Sequence, residues 1–405
     1  MKPLRLAGML VLCSWLAACV SQTVTTNTVP SIQGASTVMP ETLLLDVGIP
    51  VFDPGLLDYE EGEQVYPEVR KAEANYMPTL LAEAMQSSTA WGAVRVVPSG
   101  EQITDLRVQG TILHSDGEEL QLQIVATDSL GNVWLDKKYT GHASRYAYDT
   151  STRNNYDAFQ AVYNTIANDL LQEQEALQPR QREDIRLVTE LRFARSFSPE
   201  AFDGYLEQDR KGKYRVVRLP AKNDPMLERV ITIRERDYMF VDTLQEYYKG
   251  FGNQMLVPYQ EWRKLSYEEA IALQELQAES TRQLILGGVA LIAGIAGATS
   301  GDSDATRMAG NVAIIGGGYL LKSGLEKRNE AQIHVQALEE LGQSLEAEIT
   351  PQVIELEDRT VTLSGNVEDQ YAQWRELLAD IYATEIGMLE LPSEAISNSA
   401  TADTL

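Results

Sequence analysis

Between Leu284 and Ala298, and again between Met308 and Leu321, the chain runs without a charged residue. Both runs carry the same spacing, Gly-x-x-Ala-x-x-x-Gly: Gly287, Ala290 and Gly294 in the first, Gly310, Ala313 and Gly317 in the second. In a helix these positions share one face. Glycine inside a helix costs about 1 kcal/mol relative to alanine, so its patterned use needs a compensating gain. Close approach of two helices supplies one. The polar stretch Thr299 to Ala305 forms a turn, with helical arms on either side from Ser266 to Ala298 and from Thr306 to Ile349. The expected element is a long antiparallel helical hairpin over 266–350 with a glycine-zipper tip. Each apolar run advances only about 21–22 Å at 1.5 Å per residue, short of the roughly 30 Å hydrocarbon layer. One copy is a poor two-pass span. Two readings stay open: the tip enters or oligomerises within a membrane as a ring of hairpins, or it packs dry against its own domain or a partner. Farther from the tip, Leu338, Leu341, Leu345 and Ile349 repeat at coiled-coil spacing.

The N-terminus constrains location. Lys2 and Arg5 precede an apolar run from Leu6 to Leu16, followed by Ala17, Ala18 and Cys19. This is the pattern of an export signal over 1–18. Small residues leading into a cysteine resemble the lipobox of bacterial lipoproteins. The resemblance implies cleavage before Cys19 and attachment of acyl chains such as palmitate there. Val20, rather than aspartate, follows the cysteine; by the same resemblance the chain sits in the outer membrane and faces the periplasm. Cys13 leaves with the signal, so neither disulfide nor thiol chemistry is expected. The net charge of −25 becomes more negative once Lys2 and Arg5 are lost. Such a body repels nucleic acid and anionic headgroups, so attachment falls to the acyl chains.

Residues 19–41 are rich in Ser, Thr, Gln and Asn and read as a lipidated tether. From 42 to 150 the apolar pattern predicts an α+β domain. A strand at Leu43–Phe52 is followed by a helix at Tyr66–Gln86 with Pro78 inside it. Strands follow at Trp91–Pro98, Leu106–Leu113, Leu120–Thr127 and Val133–Tyr139. The runs W-G-A-V-R-V-V-P and D-L-R-V-Q-G-T-I in this β-α-β-β-β-β order resemble a lipoprotein-associated module. It is shared by the TolB N-terminal domain, the penicillin-binding-protein activator LpoB and the curli secretion lipoprotein CsgG. The resemblance implies a protein-binding or assembly module without catalysis.

Residues 151–265 are expected to be helical, with Phe159, Val162, Tyr163, Ile166 and Leu170 on one stripe and an N-cap at Asp224-Pro225. Arg192, Arg195, Arg215, Arg218, Arg229, Arg234 and Arg236 lie among Tyr205, Tyr214, Tyr238 and Trp262. Such faces can bind glycans or carboxylate peptides, including peptidoglycan. The plainer reading packs the tyrosines between helices and pairs the arginines with Glu228, Glu235 and Asp237. Residues 351–390 predict a β-hairpin and a helix, and V-T-L-S-G-N-V-E-D-Q-Y resembles half of a BON domain, a module associated with envelope attachment. The tail 391–405 is small and polar and is expected to be disordered.

His114, His142 and His334 lie far apart, and no nucleophile elbow, phosphate loop or zinc signature occurs. No catalytic residue, metal or cofactor is therefore expected. The leading expectation is a non-enzymatic outer-membrane lipoprotein that scaffolds assembly of the cell envelope, in secretion or surface-structure building, through self-association or contact with envelope proteins. The alternatives are a lipoprotein regulator of a peptidoglycan synthase and a periplasmic cell-wall hydrolase.

Overall fold

The structure, a computed structural model, describes residues 20–25, 29–37, 39–57, 65–98, 102–148, 157–297, single positions between 333 and 343, 352–355 and 360–387. It is a mixed α/β protein. Six strands form one sheet in the order β1-β6-β5-β4-β2-β3. They are β1 (Val20–Thr25), β2 (Val47–Pro50), β3 (Val94–Val97), β4 (Leu106–Ser115), β5 (Glu119–Asp128) and β6 (Val133–His142). The β4-β5-β6 meander is antiparallel, whereas β2 runs parallel to both β3 and β4. Along β5 the side chains alternate: Leu120, Leu122, Ile124 and Ala126 are fully buried and their neighbours half-buried, as a one-sided sheet requires.

Helices α1 (Pro67–Ser87) and α2 (Gln160–Ala176) pack side by side against the sheet. Met77, Leu81, Val162, Ile166 and Leu170 share the main core with the strands. Pro78 in α1 has a physical account. Without an N–H it leaves the carbonyl of Ala74 unclaimed inside the helix, and the backbone N–H of Phe52 donates to that carbonyl at 2.9 Å. The proline thus exposes an acceptor that fixes the end of β2 to the helix.

The expected tether over 19–41 requires correction. Val20–Thr25 is an edge strand paired in parallel with β6, from Val20 opposite Lys137 to Thr25 opposite His142. Farther on, Asn164 and Asn168 of α2 donate to the carbonyls of Pro30 and Ser31 at 2.8 and 3.0 Å. The backbone N–H of Gln33 returns a bond to Asn168 at 2.8 Å, and that of Ser36 donates to Glu175 at 2.7 Å. That backbone N–H, and after it the Ser36 hydroxyl, holds the Glu175 carboxyl below its ordinary range. A segment with little apolar surface is therefore ordered by hydrogen bonds to its backbone. Asn168→Ala removes two of them, each worth about 1 kcal/mol. Amide exchange at Gln33 is expected to accelerate at least about fivefold while the core keeps its protection; unchanged exchange would mean that the bonds do not hold the strap.

The rest of the chain builds a second core around α3 (Pro179–Phe197), the short α4 (Pro199–Phe202), α5 (Pro225–Gly297) and α6 (Val367–Gly387). A short hairpin, β7 (Leu206–Gln208) with β8 (Tyr214–Val216), joins this group, as does the antiparallel pair β9 (Gln352–Glu355) and β10 (Thr360–Leu363). This core contains Val96 and Val97 of β3, Val188 and Phe193 of α3, Val241 and Leu244 of α5, and Trp374 and Leu378 of α6. Asn366 and Asp369 cap α6 reciprocally, through bonds of 2.8 and 3.3 Å. The expected boundary at 265 falls inside α5, a single helix of 73 residues that continues through Pro258. Helix α5 also closes the β3 edge: the Gln245 amide pairs with both the N–H and the carbonyl of Val96 at 2.9 and 2.8 Å. Arg95 grips Asp242 with two bonds of 2.6 and 3.0 Å. A covered edge cannot recruit a foreign strand.

Candidate functional site

Of the positions singled out for association, Gly287, Ala290 and Gly294 lie on α5, where helical spacing puts them on one side. Cys19, Gly310, Ala313 and Gly317 lie outside the described residues.

The arginines of the middle are taken up in ring contacts, hydrogen bonds and ion pairs, some of them exposed. Arg192 and Arg195 stand 4.5 and 5.4 Å from the Tyr214 ring centre, and Arg218 stands 4.2 Å from that of Tyr205. Arg234 donates twice to the Tyr238 hydroxyl, at 3.0 and 2.6 Å. Arg215 pairs with Glu207 and Arg236 with Glu385, while Arg229 donates to the Glu385 carbonyl. These carboxylate partners, Glu207 and Glu385, differ from the Glu228, Glu235 and Asp237 expected, because β7 and α6 bring closer ones.

Asp237 is different. It lies on α5 with 1 % of its surface exposed, in the wall of a cavity of about 370 Å³. Gln102 and Ile103 come from the segment before β4, Phe193 from α3, and Tyr371 and Arg375 from α6. One carboxylate oxygen, Oδ2, accepts a long bond from the Tyr371 hydroxyl at 3.4 Å and stands 4.0 Å from Arg375 Nη1. The other, Oδ1, has no partner. Gln102 is also buried, and neither end of its amide closes a hydrogen bond. It nevertheless stands beside the Asp237 carboxylate as a weak, poorly aligned hydrogen-bond donor that favours the ionised form. Arg375 is held over Phe197 and Phe193, 4.4 and 5.3 Å from their centres.

Burial pushes the Asp237 carboxyl up to about 6, with Arg375 the strongest opposing influence. The folded chain therefore takes this proton more readily than the unfolded chain. The site opposes folding in full above about pH 6, and the penalty is relieved as the pH falls from there toward the ordinary carboxylate range. The buried carboxylate is thus met only by long or poorly aligned donors, Tyr371 and Gln102, an arrangement that leaves part of its desolvation cost uncompensated. Nothing in the local sequence around Asp237 signals this, since the cavity is assembled from four separate stretches.

A larger cleft of about 1040 Å³ opens between the N-terminal strap, α1, α2 and α5. It is lined in part by Pro30, Tyr76, Glu83, Asp157 and Lys249. Burial raises the Glu83 carboxyl, against the pull of Lys249. His114 meets Asp116 at 3.0 Å in the β4–β5 turn. Among the described residues no group of three or more His, Cys, Asp or Glu side chains could hold a metal ion. No described helix is long and apolar enough to cross a membrane. No protein-family model matches the chain, and no curated protein matches it in sequence.

Proposed function

We propose that this chain is an outer-membrane lipoprotein, held through lipid on Cys19, that works without catalysis as a scaffold in assembling the cell envelope. In this reading it self-associates through a helical arm. The continuity of α5 carries the proposal. Its first part is built into the body as far as Trp262 and Tyr267, and the same unbroken helix continues to Gly297 with Gly287, Ala290 and Gly294 on one side. From Trp262 to Gly297 the axis advances about 52 Å. Val335 packs against the cluster that contains Trp262. With the polar turn expected at Thr299–Ala305 set aside, a helix from Thr306 to Val335 would cover about 44 Å, most of the way back. The contact of Val335 supports an antiparallel hairpin with Gly310, Ala313 and Gly317 on the returning arm. A rigid strut with a small-residue face at its far end suits association between copies better than chemistry.

The position of β1 supports the anchoring half of the proposal. It begins directly after Cys19 and is paired along its length with β6, so a lipid there would hold the α/β body close to the bilayer. The test is the mass of the full lipidated chain in mild detergent. A defined oligomer is expected, and leucine at Gly287, Gly294, Gly310 and Gly317 together should reduce it to monomers. An oligomer unchanged by those substitutions removes the arm from the proposal. A monomeric parent would favour the alternative, a regulator of a peptidoglycan synthase. A Cys19→Ser form should leave the membrane fraction.

A further inference from the structure

We propose that the β7–β8 hairpin is a second membrane contact, a basic surface that binds the anionic phosphate headgroups of the bilayer beside the lipid anchor. Between Arg210 and Asn223 the chain carries Arg210, Lys211, Lys213, Arg215, Arg218 and Lys222 and no Asp or Glu, in a protein whose net charge is −25. The charge that turns anionic headgroups away is locally reversed. All six of these residues are exposed. Among the described residues only Arg215 forms an ion pair, with Glu207. The other acid of the hairpin, Asp209, accepts from the turn N–H groups of Lys211 and Lys213. Behind it, burial holds the Arg192 guanidinium below its ordinary range, and Arg107 and Arg195 add repulsion. Val217 and Leu219 are exposed as well, and apolar side chains among cations suit the headgroup layer.

Position in the fold names the occupant. The Tyr214 N–H donates to the Leu130 carbonyl at 2.8 Å, and Lys213 Nζ donates to Asn132 Oδ1 at 3.0 Å. A Cβ on Gly131 would meet the Gly212 carbonyl. The hairpin is therefore seated on the β5–β6 turn. Strand β1 runs parallel to β6 and begins at Val20, opposite Lys137, which lies about 17 Å along β6 from Asn132 at 3.4 Å per residue. The chain enters β1 from the end of the sheet that carries the hairpin. This step rests on the reading of Cys19 as the lipidated residue: acyl chains there bring this end of the molecule, with its cations, to the bilayer. An acidic polypeptide is the competing occupant. Charge alone would serve it equally, but only a membrane accounts for the placement beside the start of β1.

The experiment takes the chain as it stands after signal removal, from residue 19, with Cys19→Ser so that no acyl group contributes. Co-sedimentation is followed with vesicles containing phosphatidylglycerol and with pure phosphatidylcholine vesicles, at about 0.1 M salt, where charges act over about 10 Å. Binding to the anionic vesicles alone is expected. Each cation at such a surface contributes about fivefold, so Arg210→Gln, Lys211→Gln and Lys222→Gln together should weaken binding at least about tenfold. Arg180→Gln, Lys249→Gln and Lys264→Gln remove the same charge from exposed positions on helices and should weaken it far less. No preference for anionic vesicles, or equal losses in the two triple variants, would overturn the proposal. So would tighter binding to polyglutamate than to the vesicles. The anchor is read separately, from fractionation of the lipidated parent against its Cys19→Ser form, so failure of the hairpin and failure of the anchor stay distinct.

Discussion

Replacing Arg263 with methionine is expected to destabilise the fold by about 3–5 kcal/mol, the range for removing one partner of a buried ion pair. Arg263 and Glu73 are buried almost completely, at 1 % and 0 % exposure, and their charged groups approach to 3.6 Å. Glu73 Oε1 also accepts from the hydroxyls of Ser115 and Tyr259, both at 2.5 Å. Arg70 Nε stands 3.8 Å from the other oxygen. The Arg263 guanidinium bonds to Tyr259 and lies 4.3 and 4.4 Å from the Phe159 and Tyr259 ring centres. Three parts of the chain meet here: α1 through Glu73, the end of β4 through Ser115, and α5 through Tyr259 and Arg263. Methionine fills the space between the rings but leaves the Glu73 carboxylate with only the more distant Arg70 as a counter-charge.

The double variant Glu73→Gln with Arg263→Met separates loss of the pair from loss of packing. Glutamine keeps an oxygen for Ser115 and Tyr259 and carries no charge, so the double variant should recover most of the lost stability. Urea denaturation of both variants measures this. A single-variant loss below about 1 kcal/mol, the level of an exposed pair, would show that the charge is not buried as described.

What the sequence discloses depends on how local the cause is. The β4–β5 hairpin is legible because Leu106, Val108, Leu120, Leu122 and Ile124 alternate with polar residues, and burial of one face is a local pattern. Helix α1 is legible for the same reason, while Pro78 is visible only as an oddity: the partner that explains it, the Phe52 N–H, comes from another element. The strap over 29–37 escapes because hydrophobic patterning cannot register backbone hydrogen bonds to Asn164 and Asn168. The boundary expected at 265 has no counterpart, because packing of Tyr259, Trp262 and Arg263 carries α5 through it, past Pro258. The Asp237 cavity is the extreme case. Tyr371 is 134 positions from Asp237, and Gln102 lies before β4, so no window of sequence contains the site.

Gly117→Ala is expected to disturb the molecule at the same junction, for a reason that turn statistics hide. Glycine between Asp116 and Glu118 looks like a hairpin residue, but its conformation is not the left-handed one that demands glycine. The constraint is contact: a Cβ here would run into the Arg263 carbonyl and the backbone of Tyr267. The Gly117 N–H donates to Ser266 Oγ at 3.1 Å, and its carbonyl accepts from the Tyr148 hydroxyl at 2.5 Å. Tyr148 in turn packs on Tyr267, with ring centres 5.4 Å apart. The β4–β5 turn is thus a socket for α5. Inserting a methyl group into a packed site costs about 1–3 kcal/mol, and the upper end or beyond applies where the obstacle is helix backbone. Gly250, on the same helix, has nothing within 4 Å of its would-be Cβ, so Gly250→Ala should be neutral or stabilising by up to about 1 kcal/mol. Denaturation of the two variants side by side, with amide exchange followed over 259–267, tests the socket. Equal stabilities would mean that α5 is not seated on this turn. A large loss confined to Gly117→Ala would make the turn the point that sets the direction of α5 as it continues toward Gly287 and Gly294.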